Sequence, residues 1–297
     1  MEYAPSRHLP VLVGEVLSLL DPQPGQIIAD GTLGGGGHTR LLAEKVGPTG
    51  LVVALDRDPS AIAGAESALA GLPVLLATSD FCDLPDILAS QKIQGVQGIL
   101  LDLGWSSDQL ADPERGFSFQ VDGPLDLRFN PQQGQPAWRL VERMTAQQLA
   151  DLIFRLGEER HSRRIARALV EARRRAPLRS SAQLAELVWR AVPASARNQR
   201  IHPATRTFQA LRIAVNHELE SLESALRRLP DCLSSDGRLA IISFHSLEDR
   251  RVKEAFRGDS RLEVITRRPI RPRPEEVAVN PRCRSARLRV ARRRMST

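Results

Sequence analysis

Residues 27–58 read IIADGTLGGGGHTRLLAEKVGPTGLVVALDRD. A short apolar run, Ile27 to Ala29, ends at Asp30. Four glycines follow (Gly34, Gly35, Gly36, Gly37), then a helix-like segment from His38 to Val46. A second apolar run, Leu51 to Leu55, ends at Asp56. Strand, glycine turn, helix and strand together make a βαβ unit, because parallel neighbours need a crossover and that crossover is right-handed. Glycines suit a turn that must reach positive φ and let a ligand approach bare backbone. An acidic residue about 20 positions beyond such a turn, at the tip of the second strand, is placed to accept both hydroxyls of a ribose. Asp56 stands there. The plainer alternative is a flexible loop with Asp56 only capping the next helix.

The turn also selects among nucleotides. A dinucleotide site seats a pyrophosphate on a helix N-terminus and reads G-x-G-x-x-G. Here Asp30, Gly31 and then Gly34 to Gly37 fit that spacing poorly. A carboxylate just before the turn repels a pyrophosphate but suits a ligand with an ammonium group. S-adenosylmethionine carries adenosine, a sulfonium and an amino-acid head, without phosphate, so a methyl donor outranks NAD.

At 297 residues the chain can bury one core, or one core plus an inserted subdomain. No apolar run approaches the 18 or more residues of a membrane span. Pro5, Pro10 and Glu15 interrupt the first apolar stretch, which argues against a signal peptide. Cys82, Cys232 and Cys283 show neither metal nor disulfide spacing, so a reducing compartment, most simply the cytoplasm, is expected.

The net charge of +7 is unevenly spread. Residues 1–104 hold 5 basic and 12 acidic side chains, residues 105–215 hold 18 and 11, and residues 250–297 hold 16 and 5. Only Lys45, Lys92 and Lys253 are lysines. Arginine forks bind phosphates in bidentate fashion and stack on bases. Two basic regions beside an acidic nucleotide-binding part predict a polyanionic partner, most commonly nucleic acid. Arg292, Arg293 and Arg294 are expected to contribute to RNA binding.

Further along, Asp58-Pro59 starts a helix that runs to about Leu69. Strands are expected at Val74–Ala77 and at 98–101, the latter ending in Asp102. The next convincing strand is Arg238–Phe244, too far on for an ordinary connection, so something is inserted. The insert reads as helical. Thr145 with Gln148 forms a capping box, Ser162 to Arg175 carries arginines outward, and Ser180 with Gln183 opens another helix. A long helix from about Pro203 to Leu229 is expected to return the chain to the sheet. Strands near Leu262–Thr266 and at Ala286–Ala291 complete it. The domains are therefore placed at 1–106 with 203–297, and at 107–202 for the insert.

Ligands in such sheets bind beyond the carboxyl ends of the strands. Asp30 with the glycines, Asp56, the 102–107 segment and the 243–249 segment supply the polar tips. Phe81 stands where it could flank an adenine, or simply pack. DNA amino-methyltransferases carry Asp/Asn-Pro-Pro-aromatic where this chain has Asp102-Leu103-Gly104-Trp105. An exocyclic amine delocalises its lone pair and is a poor nucleophile. Oxygen acceptors that bind its hydrogens draw the nitrogen toward tetrahedral geometry and aim it at the methyl group. Asp102, with Ser106, is the candidate for this task and Trp105 the candidate stacking surface for a flipped base. The spacing of His245, Glu248 and Asp249 matches no familiar metal motif, so a loop-ordering or substrate-side role is expected, and no metal.

Nine blocks go beyond these generic readings. They are HLPVL (8–12), DGTLGGGGH (30–38), LDRDP (55–59), LDLGWSSDQL (101–110), RGFSF (115–119), GPLDLR (123–128), HPATRTFQALR (202–212), SFHSLEDR (243–250) and NPR (280–282). In this order, across nearly the whole chain, they resemble the RsmH (MraW) family of bacterial small-subunit rRNA cytosine-N4 methyltransferases. The resemblance implies a class I methyltransferase fold, Rossmann-like and mostly parallel, with an inserted helical domain that recognises substrate. It implies S-adenosyl-L-methionine as donor and, as substrate, a cytidine in the decoding centre of 16S rRNA within the small subunit. Cofactor contacts would fall on Gly36, Gly37, His38, Asp56, Phe81, Asp102 and Gln109. Trp105 stands where the family commonly has a small aliphatic residue, and Asp108 where proline is frequent. An NAD oxidoreductase, a DNA amino-methyltransferase and a non-enzymatic RNA-binding protein are the rival classes.

Overall fold

The computed structural model describes residues 9–197 and 201–295. Pro5 and His8, cited above, lie outside the described residues. One sheet holds seven strands: β1 Ile27–Asp30, β2 Leu51–Asp56, β3 Val74–Thr78, β4 Val96–Asp102, β5 Leu233–Ser243, β6 Leu262–Val264 and β7 Arg287–Arg293. Their order is β3-β2-β1-β4-β5-β7-β6. The first five in that order run parallel, and β7 is antiparallel to both β5 and β6. The chain winds outward from β1 to β3 and then returns to place β4 on the other side of β1. That reversal makes the carboxyl ends of β1 and β4 the topological switch point, where ligands bind in open parallel sheets.

Alternation along the strands builds two apolar layers, since successive side chains face opposite sides. Ala29, Val53, Leu55, Ile99, Leu101, Leu239 and Ile241 meet the helices Leu84–Ser90, Glu218–Cys232 and Ser246–Gly258. Ile28, Val52, Ala54, Leu100, Ala240 and Ile242 meet Val13–Leu20, Gly37–Val46 and Pro59–Ala68. Continuous apolar strands buried on both faces are what a parallel sheet requires. The Asp58 side chain caps Pro59–Ala68 by accepting the N–H of Ser60, as the Asp-Pro pair predicts.

The chain divides into two compact units, Met1–Ser107 with Leu219–Thr297, and Asp108–Glu218. The return boundary therefore falls at Glu218, not at 202. The cause is the helix Ala204–Asn216, whose Phe208 and Leu211 belong to the core of the helical unit, with Leu152, Ile165, Leu184 and Val188. The single helix expected over 203–229 is in fact two, because His217 adopts a left-handed conformation (φ 52°) between Ala204–Asn216 and Glu218–Cys232. Within the helical unit the Thr145–Gln148 capping box is present, with bonds of 2.8 and 3.2 Å. Asn216 holds the loop before it, accepting from Phe129 N–H and donating to the Leu127 carbonyl, both at 2.7 Å.

The basic last strand is tied to acidic neighbours. Arg289 is buried and donates to Asp249 at 2.7 Å, with Arg287 on the same carboxylate at 3.1 Å. Arg292 pairs with Glu263 at 2.7 Å and Asp236 at 3.0 Å, Arg293 lies 3.8 Å from Asp231, and Arg294 donates to the Leu262 carbonyl. These arginines close the antiparallel edge of the sheet. In the β5–β7 register Arg238 faces Arg292. Like charges directly opposite are destabilising, and here the flanking acids offset them.

Candidate active site

The site is built where β1, β2 and β4 end. Asp30 is fully buried. Its Oδ2 accepts the Thr39 hydroxyl at 2.7 Å, and its Oδ1 accepts the Thr32 N–H at 3.1 Å. Thr32 Oγ1 also faces Asp30 Oδ1 at 3.4 Å and accepts the backbone N–H of Asp102 at 2.6 Å. One hydroxyl thus ties the tip of β1 to that of β4. Asp56 at the end of β2 accepts from Gly34 N–H (2.8 Å) through one oxygen and from Asp58 N–H (2.9 Å) through the other. A carboxylate has about four acceptor positions, so Asp56 orders the glycine turn and keeps capacity for a ligand.

The glycines are required at two places in particular. Gly36 caps the helix Gly37–Val46 at φ 77°, in the left-handed region. At Gly31, a Cβ would come within 2.8 Å of Phe81 Cβ and closer still to the Leu101 side chain. Gly37 is also confined, since its Cβ would lie 2.9 Å from the Pro10 ring.

Three carboxyls gather in this low-dielectric corner. Burial raises Asp56 to about 6, against the hydrogen bonds from Asp58 and Gly34. Burial also raises Asp30. Asp102 is raised well above its ordinary value, by burial first and then by the charges of Asp30 and Glu248. Among the described residues its buried Oδ1 has no hydrogen-bond partner, while its Oδ2 lies 3.7 Å from His38 Nε2. Buried polar atoms in native proteins are nearly always paired. An open acceptor at the switch point is thus an atom shaped for a ligand.

The expected residues Gly36, Gly37, His38, Asp56, Phe81 and Asp102 all lie in the sheet unit, around these strand tips. Phe81 is 9% exposed and belongs to the apolar layer with Leu55, Leu84 and Leu101. Trp105 is 40% exposed. Ser106 lies beside the glycine turn, its Cβ 3.7 Å from where a Cβ on Gly34 would be. Gln109 is buried in the helical unit, on Ser107–Ala111. Thr32 and Thr39 escaped sequence reasoning, although Thr39 follows the glycine turn by a helical step that points it back at Asp30. His245 and Glu248 form a reciprocal cap of Ser246–Gly258, with Glu248 Oε2 accepting from Phe244 N–H at 2.8 Å and His245 N–H at 3.2 Å. Asp249 holds β7, as described.

The corner fits S-adenosyl-L-methionine. Its carboxylates favour a cationic ligand, bare backbone at Gly34 to Gly37 admits close approach, and Asp102 Oδ1 offers an unmet acceptor. Sheet order, antiparallel β7 and the acidic tips together define a class I methyltransferase that takes this cofactor.

Residues 5–294 match the model of the MraW methylase family, and the chain belongs to that family. It is 52% identical over 288 residues to the ribosomal RNA small subunit methyltransferase H of Cyanothece sp., covering 96% of this chain and 94% of that protein. It is 47% identical over 306 residues to the protein of that name from Thermomicrobium roseum, covering 96% and 93%. Among solved structures, an rRNA methylase from Streptococcus thermophilus overlaps loosely, with a TM-score of 0.43 at 12% identity over 95% of this chain and 94% of that one. Among the described residues no helix is long and apolar enough to cross a membrane.

Proposed function

We propose that this protein transfers a methyl group from S-adenosyl-L-methionine to the exocyclic N4 of a cytidine in the decoding centre of 16S rRNA. The names of the relatives support small-subunit rRNA as the substrate. The observation that carries the reaction type is the buried Oδ1 of Asp102, which no other described residue hydrogen-bonds. When bound, the cofactor supplies a methyl on a positively charged sulfur, which leaves with its bonding electron pair as the new N–C bond forms.

Asp56 accepts the ribose hydroxyls on the positions its backbone partners leave open. Gly36, Gly37 and His38 line the amino-acid end, and Phe81 borders the adenine. Asp102 Oδ1 accepts a hydrogen of the exocyclic amine and turns the nitrogen lone pair toward the methyl. The amine must lose one proton as it gains the methyl, and a carboxyl whose proton affinity burial has raised is suited to take it. Trp105, being exposed, offers a ring face to the everted base, and Ser106 a second polar group. The inserted helical unit serves substrate recognition.

Labelled methyl transfer to naked 16S rRNA, to isolated small subunits and to DNA tests the proposal, with the product nucleoside identified. N4-methylcytidine in rRNA is expected. Methylation of DNA alone, or of another atom, overturns it.

A further inference from the structure

The arginines of residues 267–293 fall into two structural sets. Those on β7 are occupied by Asp249, Glu263, Asp236 and Asp231. Those between 267 and 284 are not. Arg267, Arg268, Arg271, Arg282 and Arg284 are exposed, and among the described residues no carboxylate pairs with any of them. In this stretch only Arg273 meets an acid, Glu15 at 3.7 Å.

The backbone that carries these free cations is firmly held. Ile270 and Leu288 exchange both backbone hydrogen bonds, each at 2.9 Å. Glu276 Oε1 accepts from Leu12 N–H at 2.7 Å, Asn280 Nδ2 donates to the Leu9 carbonyl at 3.3 Å, and Cys283 is fully buried. Pro269, Pro272, Pro274 and Pro281 fix φ at four further points. The anchoring residues 9–12 include Pro10, which rests against Gly37 of the glycine turn. A merely solvated charge run needs no such fastening. Preorganised guanidinium groups bind an anion without a further loss of backbone entropy.

We propose that the arginine–proline segment 267–284 is the surface that holds backbone phosphates of the RNA beside the target nucleotide. It rests on the reading of the protein as an RNA methyltransferase. The attraction is electrostatic and positions the strand without reading its sequence.

The test measures binding of a fluorescein-labelled oligouridylate and of a 16S rRNA transcript across a salt series. The full-length variants are R267Q/R268Q/R271Q and R282Q/R284Q, and the control is K45Q/K92Q/R257Q, three exposed cations elsewhere on the sheet unit. The C-terminal variants are expected to bind both RNAs about tenfold or more weakly at low salt. Their plot of log K against log salt should be shallower by about 0.7 for each phosphate that is no longer neutralised. Cofactor affinity by calorimetry and the thermal unfolding midpoint should stay unchanged. An unchanged slope, a loss confined to the control, or an equal loss of cofactor affinity would each overturn the proposal. Failure of the wild-type protein to methylate any RNA would instead remove the functional reading itself, and that outcome is separately visible.

Discussion

The side-chain hydroxyl of Thr32 accepts the backbone N–H of Asp102 at 2.6 Å. Replacing it by valine keeps the shape but strands that N–H and takes one donor from Asp30. Leaving a buried polar group unsatisfied costs about 1–3 kcal/mol. Thr32→Val should therefore lower the denaturant midpoint and reduce methyl transfer more than cofactor affinity. A fully active variant of wild-type stability would show that the link does not position Asp102.

Asp102→Ala should separate chemistry from binding. Losing an acceptor aimed at the reacting group costs about 10²–10³ in turnover. Cofactor affinity should change only a few-fold, and stability should hold or rise, because a buried unpartnered carboxylate oxygen is itself unfavourable. Single-turnover rates beside calorimetry decide it. An affinity loss as large as the rate loss would make Asp102 a cofactor ligand only.

Asp56 predicts a pH dependence. Its carboxyl is raised from 3.8 to about 6 by burial, so in the folded protein it holds its proton through the interval where the unfolded chain has lost it. The stability from this group is fully present below 3.8 and is lost as pH rises through about 6. Ribose hydroxyls donate to the ionised form, so cofactor affinity should run the other way, falling about tenfold per pH unit below 6. Asp56→Asn should bind weakly with a flat profile between pH 5 and about 7. A wild-type affinity independent of pH over that range would refute the assignment.

Gly31→Ala places a Cβ against Phe81 and Leu101, both in one packed apolar layer. Overpacking of this kind costs about 1–3 kcal/mol, and a thermal melt should show the loss. An unshifted melting point would mean that the strand tips yield more readily than their packing implies.

Asp249→Asn leaves the buried Arg289 guanidinium without its counter-charge. Breaking a buried pair from one side costs about 3–5 kcal/mol. Burial would raise the Asp249 carboxyl, but the hydrogen bonds and charges of Arg289 and Arg287 outweigh it and hold it below 3.8. The contribution is thus present above 3.8 and is lost as pH falls through the lower folded value. Denaturant unfolding of the variant should show the deficit near neutral pH, with the gap to wild type closing in acid. A wild-type midpoint at neutral pH would show that the pair is dispensable.

Local signals made the first half of the sheet legible. The apolar runs 27–29 and 51–55 lie within β1 and β2, each of which extends one residue further, because glycine and proline punctuate that stretch clearly. Asp56 and Asp102 were legible as strand-tip acids for the same reason. The helical boundary was not. The apolar period of Ala204–Asn216 would suit either core, and only the packing of Phe208 and Leu211 decides. The pairing of the β7 arginines could not be read locally, because Asp249, Asp236 and Glu263 lie far away in sequence. Thr32 carries no periodic signal, so its bridge from β1 to β4 emerges only in three dimensions.

The order β5-β7-β6 has a consequence for biogenesis. During synthesis β6 leaves the ribosome before the neighbour that separates it from β5, so it cannot dock where it finally lies. The glycine turn and the three acidic tips are all made within the first 102 residues, whereas the strand that completes the antiparallel edge is made almost two hundred residues later. The strand tips are thus made long before the strand that completes the sheet, and the insertion of β7 is the last step in building it.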